Sequence, residues 1–308
     1  MSGSLEPSVA KLRRAIHHYR TLKELHGGGD HKHRPVMCQP QVDGLTYEFR
    51  IGEVESLSPD VPLVLGDAYH NLRAALDCLV FQLHERRFRG KVPRRAVNNS
   101  AFPIFTQEPR YSMKHPDPSL RGRVIPTDQW RSIKALGHRE RAAIEWSQPY
   151  KGFDPRWPRP KSLIGQRRRG LSDIHRFDII DKHHQPHLVA AILVSVGQPR
   201  FPGGDFGFRQ KPPFPPKGTS MVPLITDAHV DTWTFTRPPP AEYMNMHPGV
   251  RTGIGMEPDP GQKIDVLPNL GGSIWITART IFRFANRFPP IDVSDLNRDF
   301  ADVRKTVA

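Results

Sequence analysis

The sequence predicts an α+β fold, in which a helical core of about five helices carries a small, mainly antiparallel β-sheet. Apolar residues recur at helical spacing in four segments, at 8–25, 63–87, 171–184 and 273–288. Strand-like runs concentrate in the final third, and 32 prolines and 24 glycines indicate long irregular connections. We expect a single α+β domain over residues 1–308. Its parts are a mainly helical part with an N-terminal hairpin and basic loops (8–185), a sheet with a closing helix (186–290) and a loose tail (291–308).

The first third of the chain reads as helix, hairpin and helix. The helix at 8–25 ends at three glycines, 27–29. Asp43 and Gly44 lie between two strand-like runs and predict a two-residue hairpin turn, and Pro40 favours an edge position for the first strand. The helix at 63–87 is the clearest in the sequence. Its apolar stripe consists of Leu65, Ala68, Leu72, Ala75, Leu76, Leu79 and Leu83.

Another side of this central helix is polar. At ~100° per residue, His70, Arg73 and Asp77 fall together, about one turn apart. Tyr69 and Val80 border the patch, so most of the helix surface is apolar and we expect it to be buried. Three ionisable side chains in such a setting indicate either a structural network or a functional site.

The middle of the chain is basic and rich in proline. Two short helices are predicted, at 128–136 and 139–146, with Gly137 and His138 between them. Further on, Arg167, Arg168 and Arg169 follow Trp157, a combination that can bind a nucleic-acid backbone and stack a base. The alternative interpretation of this segment is a solvated basic loop.

The helix at 171–184 places two carboxylates, Asp178 and Asp181, on its inward side. A buried carboxylate needs a cation or hydrogen-bond donors. On the helical wheel His175 points away from both aspartates, so we do not expect a metal site here. The remaining predicted elements are strands at 187–196, 221–226, 230–236 and 250–256, a turn at 268–272 and a closing helix at 273–288.

Composition restricts the partners and the compartment. The chain has 45 Lys and Arg against 31 Asp and Glu, a net charge of +14, which favours RNA or DNA as a partner. The alternative is a basic but merely soluble surface. Cys38 and Cys78 suggest neither a disulfide framework nor a zinc finger. The first residues lack the apolar run of a signal peptide, and no run is long enough to span a bilayer. We therefore expect a cytoplasmic protein with no membrane partner.

Several standard motifs are missing from the sequence. It contains no phosphate-binding P-loop, no dinucleotide-binding glycine fingerprint after a strand, no GxSxG nucleophile elbow and no HExxH zinc motif. We therefore predict no cofactor.

Four segments in succession carry a resemblance to a known family. They are GDAYHNLRAALD (66–77), FPIF (102–105), QPY (148–150) and DIIDKHH (178–184). Together they resemble an uncharacterised bacterial family with a GDALHNLRSALDHL-like helix followed by FPI, QPY and DKHR. The resemblance covers roughly residues 8–190. That family is in turn similar to HEPN proteins, helical domains found in toxin and phage-defence ribonucleases.

The resemblance implies a metal-independent ribonuclease whose arginine and histidine lie at a homodimer interface. Arg73 occupies the arginine position, but the family histidine falls at Cys78, and His184 replaces the final arginine of DKHR. A thiol is a poor proton shuttle near neutral pH. What the resemblance retains is a polar set that consists of His70, Asn71, Arg73, Asp77 and Asp181.

Two functions and one structural interpretation follow from these observations. In the first, Arg73 stabilises the scissile phosphate, while His70, beside Asp77, takes over the acid–base work. In the second, the chain binds RNA or a protein partner without cleavage. In the structural interpretation, Asn71, Asp178 and Asp181 complete a buried network around Arg73. We expect the Arg73 guanidinium to meet Asp181, or failing that Asp178.

Overall fold

We describe the chain from a computed structural model. The described residues are 3–26, 36–40, 45–52, 57–98, 100–105, 132–149, 170–179, 190–196, 209–210, 222–223, 229–236, 250–259, 262–290, 300 and 303. The predicted basic segment with Trp157, Arg167, Arg168 and Arg169 lies outside these ranges, and so does Asp181.

The elements alternate between helices and short strands. In chain order they are α1 (Glu6–Leu25), β1 (Val36–Pro40), β2 (Thr46–Ile51), α2 (Asp60–Arg87), α3 (Arg94–Asn98), α4 (His138–Ser147), α5 (170–179), β3 (Ala190–Val196), β4 (Arg209–Gln210), β5 (Val222–Pro223), β6 (His229–Thr234), β7 (Val250–Asp259), β8 (Gln262–Asp265), α6 (Val266–Phe282) and a 3-10 turn (Ala285–Arg287).

The chain divides into two compact units. The first comprises Met1–Arg20, Leu63–Pro186 and Pro268–Ala308, and the second comprises Thr21–Pro62 and His187–Leu267. Among the described residues, the first unit holds most of the helical ones, and the second holds all the strands. The predicted α+β class with a helical core is thus confirmed, whereas a single domain over residues 1–308 stays a prediction.

The core of the first unit forms around α2. All seven residues of its predicted apolar stripe are buried, and so are Tyr69 and Val80 on its other sides. The apolar stripe of α1 is buried too, because its residues recur every three or four positions. It consists of Val9, Leu12, Ile16, Tyr19 and Leu22. None of the helices in the described ranges is long and apolar enough to cross a membrane.

The approach of α5 to α6 explains a departure from the predicted elements. A Cβ on Gly170 would lie 2.8 Å from the Cα of Ser273, so only glycine allows this close contact. We predicted a turn at 268–272, but these residues belong to the first turns of α6. Pro268 is tolerated there because the first helical turn does not need its missing N–H.

The second unit holds two antiparallel sheets, where we expected one small sheet. One has the strand order β1-β2-β6-β4 and the other β5-β3-β7-β8. The predicted antiparallel pairing is confirmed, since Val36 pairs with Ile51 and Pro40 with Tyr47, and β1 lies at an edge. The turn expected at Asp43 and Gly44 lies outside the described residues. Phe49 and Trp233 pack between β2 and β6 with ring centroids 4.3 Å apart.

The helix expected at 128–136 is not formed where the structure describes it. Residues 132–136 make a turn, closed by the Leu136 N–H donating to the Ile133 carbonyl oxygen at 3.0 Å. Gly137, in an extended conformation, then precedes α4. The turn is favoured because Ile133 and Leu136 are both buried at a spacing of three residues.

Candidate functional site

The polar side of α2 lies beside α5 in the first unit. The rings of Tyr69 and Phe177 pack against each other with centroids 4.5 Å apart. Each of these rings precedes a predicted site residue in the sequence, His70 on α2 and Asp178 on α5. The apolar contact therefore brings the two polar side chains to the same edge of the helix pair.

His70 and Asp178 form an ion pair or hydrogen bond across this edge. The distance from Nδ1 of His70 to Oδ1 of Asp178 is 3.3 Å. The Asp178 side chain is only 7% exposed, whereas that of His70 is 51% exposed. Nε2 of His70 has no hydrogen-bond partner among the described residues. An imidazole that donates through Nδ1 to a carboxylate leaves Nε2 as the proton acceptor in its neutral form.

Arg73 pairs with Asp77 on its own helix. Its Nε lies 3.3 Å from Oδ2 of Asp77, and its second terminal nitrogen lies 3.2 Å from Oδ1. The spacing of four residues allows this pairing along one helix face. The Arg73 side chain is 14% exposed and that of Asp77 is 35% exposed, so the guanidinium is the partner that is better shielded from water.

Asp77 also ties a second segment to α2. The backbone N–H of Phe102 donates to Oδ1 of Asp77 at 2.7 Å. Burial raises the pKa of the Asp77 carboxyl, and the Arg73 charge and the Phe102 N–H oppose that rise. The charge of Asp178 raises the same pKa further, so the two carboxylates lie within electrostatic reach of each other. We call Arg73, Asp77 and the Phe102 N–H the clamp.

Gln148 continues this connection to the next segment. Its side-chain oxygen accepts from the Phe105 N–H at 2.8 Å, and its amide nitrogen donates to the carbonyl oxygens of Pro103 at 2.9 Å and Ile144 at 3.1 Å. Gln148 is 1% exposed, so these bonds are made away from water. The amide therefore fixes residues 102–105 against the end of α4.

His175 lies within electrostatic reach of this site, although the helical wheel had directed it away from the aspartates. Burial lowers the pKa of His175, and the positive charge of Arg73 lowers it further, while Asp178 acts in the opposite direction. The side chain is therefore a neutral imidazole near neutral pH, within electrostatic reach of Arg73 and Asp178. The missed signal was its position three residues before Asp178, which places both residues on neighbouring parts of one helix face.

Two predicted site residues remain, Asn71 on α2 and Asp181, which lies outside the described residues. The amide nitrogen of Asn71 donates to the Asp67 carbonyl oxygen at 2.8 Å, within α2 itself. A contact between Arg73 and Asp181 lies outside the described residues. The alternative partner, Asp178, pairs with His70, and Arg73 pairs with Asp77. The expected meeting of Arg73 with a carboxylate of the 171–184 segment stays a prediction.

Cys78 occupies the position at which the resembled family has a histidine. It is a free, partly buried thiol. Burial raises the pKa of Cys78, Lys11 lowers it and Asp77 raises it, with a net upward shift. The thiol therefore stays protonated at neutral pH and does not substitute for an imidazole in proton transfer.

The four segments that carry the family resemblance are connected in space. His70 joins the first to the fourth, Asp77 joins the first to the second, and Gln148 joins the third to the second. Within the ranges described, no three His, Cys, Asp or Glu side chains are grouped to hold a metal ion. The arrangement offers an accessible imidazole and a nearby guanidinium.

No family model, no curated protein and no solved structure matches this chain. The family resemblance, with the ribonuclease activity and the homodimer that it implies, therefore stays a prediction.

Proposed function

We propose that the chain is a metal-independent, HEPN-like endoribonuclease in which His70 performs the proton transfer. The observation that carries this proposal is the His70–Asp178 pair, with a half-exposed imidazole held at 3.3 Å by a buried carboxylate. A carboxylate in this position orients the imidazole and stabilises the imidazolium that forms when Nε2 accepts a proton.

The proposed reaction is an internal transfer of the phosphodiester. Nε2 of His70 takes the proton of a ribose 2′-hydroxyl, and the 2′-oxygen attacks the adjacent phosphorus. The bond from phosphorus to the 5′-oxygen breaks, and that oxygen takes a proton from water. The products are a 2′,3′-cyclic phosphate and a 5′-hydroxyl end, so atoms and charges balance.

Arg73 supports the reaction through its charge. Asp77 occupies two of the five N–H donors of the guanidinium, and no other partner is found in the described part of the chain. A positive charge that is fixed in place and shielded from water stabilises the additional negative charge of the transition state. The toxin or phage-defence role that the resemblance implies rests on this activity.

A second candidate function is RNA binding without cleavage. It is favoured by the burial of Arg73, whose side chain is 14% exposed and already paired. In this alternative the clamp serves only to hold residues 102–105 against α2, and the net charge of +14 accounts for nucleic-acid binding.

Cleavage of a labelled RNA oligonucleotide in EDTA separates the two functions. We expect the parent chain to cleave RNA but not the same sequence in DNA, because DNA lacks the attacking 2′-hydroxyl. The products should carry cyclic phosphate ends, and Asp178→Asn should cleave more slowly because the orienting charge is lost. RNA binding without cleavage would reject the nuclease and favour the second function.

A further inference from the structure

A row of arginines follows the exposed side of α6 into the turn beyond it. Arg279, Arg283 and Arg287 are each four residues apart, and the first two are exposed. Trp275 and Phe282, both half-buried, lie on the same side of the helix. Cationic and aromatic side chains therefore alternate along one surface, which we call the Arg–Trp surface.

The arginines are held by stacking on tryptophan rings. The Arg283 guanidinium carbon lies 4.2 Å from the ring centroid of Trp146 on α4. That of Arg279 lies 5.6 Å from Trp146 and 5.1 Å from Trp275. A guanidinium that stacks on an aromatic face loses side-chain freedom but keeps its N–H groups directed outward in the plane.

Neither of the two exposed arginines is neutralised in the part of the chain that the structure describes. Arg287 pairs with Glu140 of α4, whereas Arg279 and Arg283 have ring contacts and no carboxylate partner there. Two pre-oriented guanidinium groups, about 6 Å apart along the helix axis, thus face solvent. This is the donor geometry that binds phosphate oxygens in pairs.

We propose that the Arg–Trp surface binds the backbone of a single-stranded nucleic acid. Arg279 and Arg283 would each contact a phosphate, and the half-buried rings of Trp275 and Phe282 would contact the bases. The aromatic side chains favour this partner over an acidic protein, which would use the charges alone. The proposal goes beyond the proposed function because binding at this surface does not require cleavage.

Fluorescence anisotropy on an oligonucleotide that cannot be cleaved tests the proposal separately from nuclease activity. The probe is a labelled 2′-O-methyl RNA of about 20 nucleotides, titrated at low salt. We compare Arg279→Ala/Arg283→Ala with Arg14→Ala/Arg94→Ala, which removes the same charge from two exposed arginines of the first unit without ring contacts among the described residues. We expect the first pair to weaken binding by about tenfold and the control pair by less than about threefold.

A third variant removes the stacking geometry but keeps the charge. Arg279→Lys/Arg283→Lys should bind between the parent and the alanine pair, because lysine lacks the planar group. Equal losses in the alanine pair and the control pair would overturn the proposal, as would a parent that does not bind the probe. Displacement of the RNA by polyglutamate as readily as by unlabelled RNA would overturn it in favour of an acidic protein partner. If the alanine double variant does not fold, the lysine double variant serves as the test. Binding of the probe by the lysine double variant as tightly as by the parent would overturn the proposal that stacked guanidinium groups bind the nucleic acid.

Discussion

The two ion pairs at the α2 edge differ in which partner is exposed. In Arg73–Asp77 the cation is the less exposed partner, and the carboxylate also receives the N–H of Phe102. In His70–Asp178 the carboxylate is buried, and the imidazole reaches solvent. The first arrangement fastens a neighbouring segment, whereas the second presents a proton acceptor at the surface. The difference indicates that stability and function reside in different pairs, a few residues apart on one helix.

The largest expected effect comes from breaking the clamp. Asp77→Ala leaves the Phe102 N–H and the Arg73 guanidinium without their acceptor, which should lower the free energy of unfolding by about 2–3 kcal/mol. Urea denaturation measures this loss. Asp67→Ala is the matched control, since Asp67 is exposed on the same helix and its hydrogen bond with Asn71 uses the backbone oxygen, which alanine retains. Equal stability of the two variants would show that the clamp does not hold the segment.

An intermediate effect is expected from acid. Burial lowers the pKa of His84 below its ordinary value of 6.5, and neither ring nitrogen has a hydrogen-bond partner within the described ranges. A histidine with a lowered folded pKa stabilises the fold fully above pH 6.5, and this stability is lost as the pH falls through the folded value. His175 contributes in the same direction.

Melting temperatures between pH 7.5 and pH 5 test this prediction. His84→Phe keeps a ring against Phe88 but cannot be protonated, so its melting temperature should fall less than that of the parent. His138→Phe, at an exposed histidine, should follow the parent. A parallel decline of all three proteins would mean that His84 is not titrating in this range.

The smallest effect on stability is expected from the loss of His70, the exposed partner of the His70–Asp178 pair. His70→Ala removes an imidazole that is half in water, while the buried Asp178 carboxylate keeps a further interaction besides His70, so we expect a loss of at most about 1 kcal/mol. Its melting temperature should therefore lie close to that of the parent and well above that of Asp77→Ala. A large destabilisation by His70→Ala would assign this pair, too, to the structural network.

The sequence alone predicted the helices better than the pairing between them. The buried stripe of α2 followed from spacing, because each apolar residue must lie on the same face as those three or four positions away. The Arg73–Asp77 ion pair also follows from its four-residue spacing along α2, although the burial of the helix favoured a distant carboxylate as the partner of Arg73. The His70–Asp178 pair depends on how α2 packs against α5, through Tyr69 and Phe177. No local pattern contains that information.

The start of α6 contains glycine and proline, which in the sequence indicate a turn. Leu270, between Pro268 and the two glycines 271 and 272, reads as part of a turn in the sequence, yet it is buried within the helix. The low helix propensity of these glycines is outweighed here by tertiary contact. Gly170 lies close to the backbone of Gly272 and Ser273, and residues with small side chains allow this approach.

Chemical rescue of His70→Ala tests the central claim most directly. The variant should lose RNA cleavage in EDTA while it keeps the melting temperature of the parent. Because His70 is half-exposed, imidazole added to the solution can enter the space that the side chain leaves and accept the 2′-hydroxyl proton. We predict that cleavage returns in proportion to the concentration of neutral imidazole, with no such gain in the parent. Cleavage by His70→Ala at the parent rate without imidazole would contradict the account.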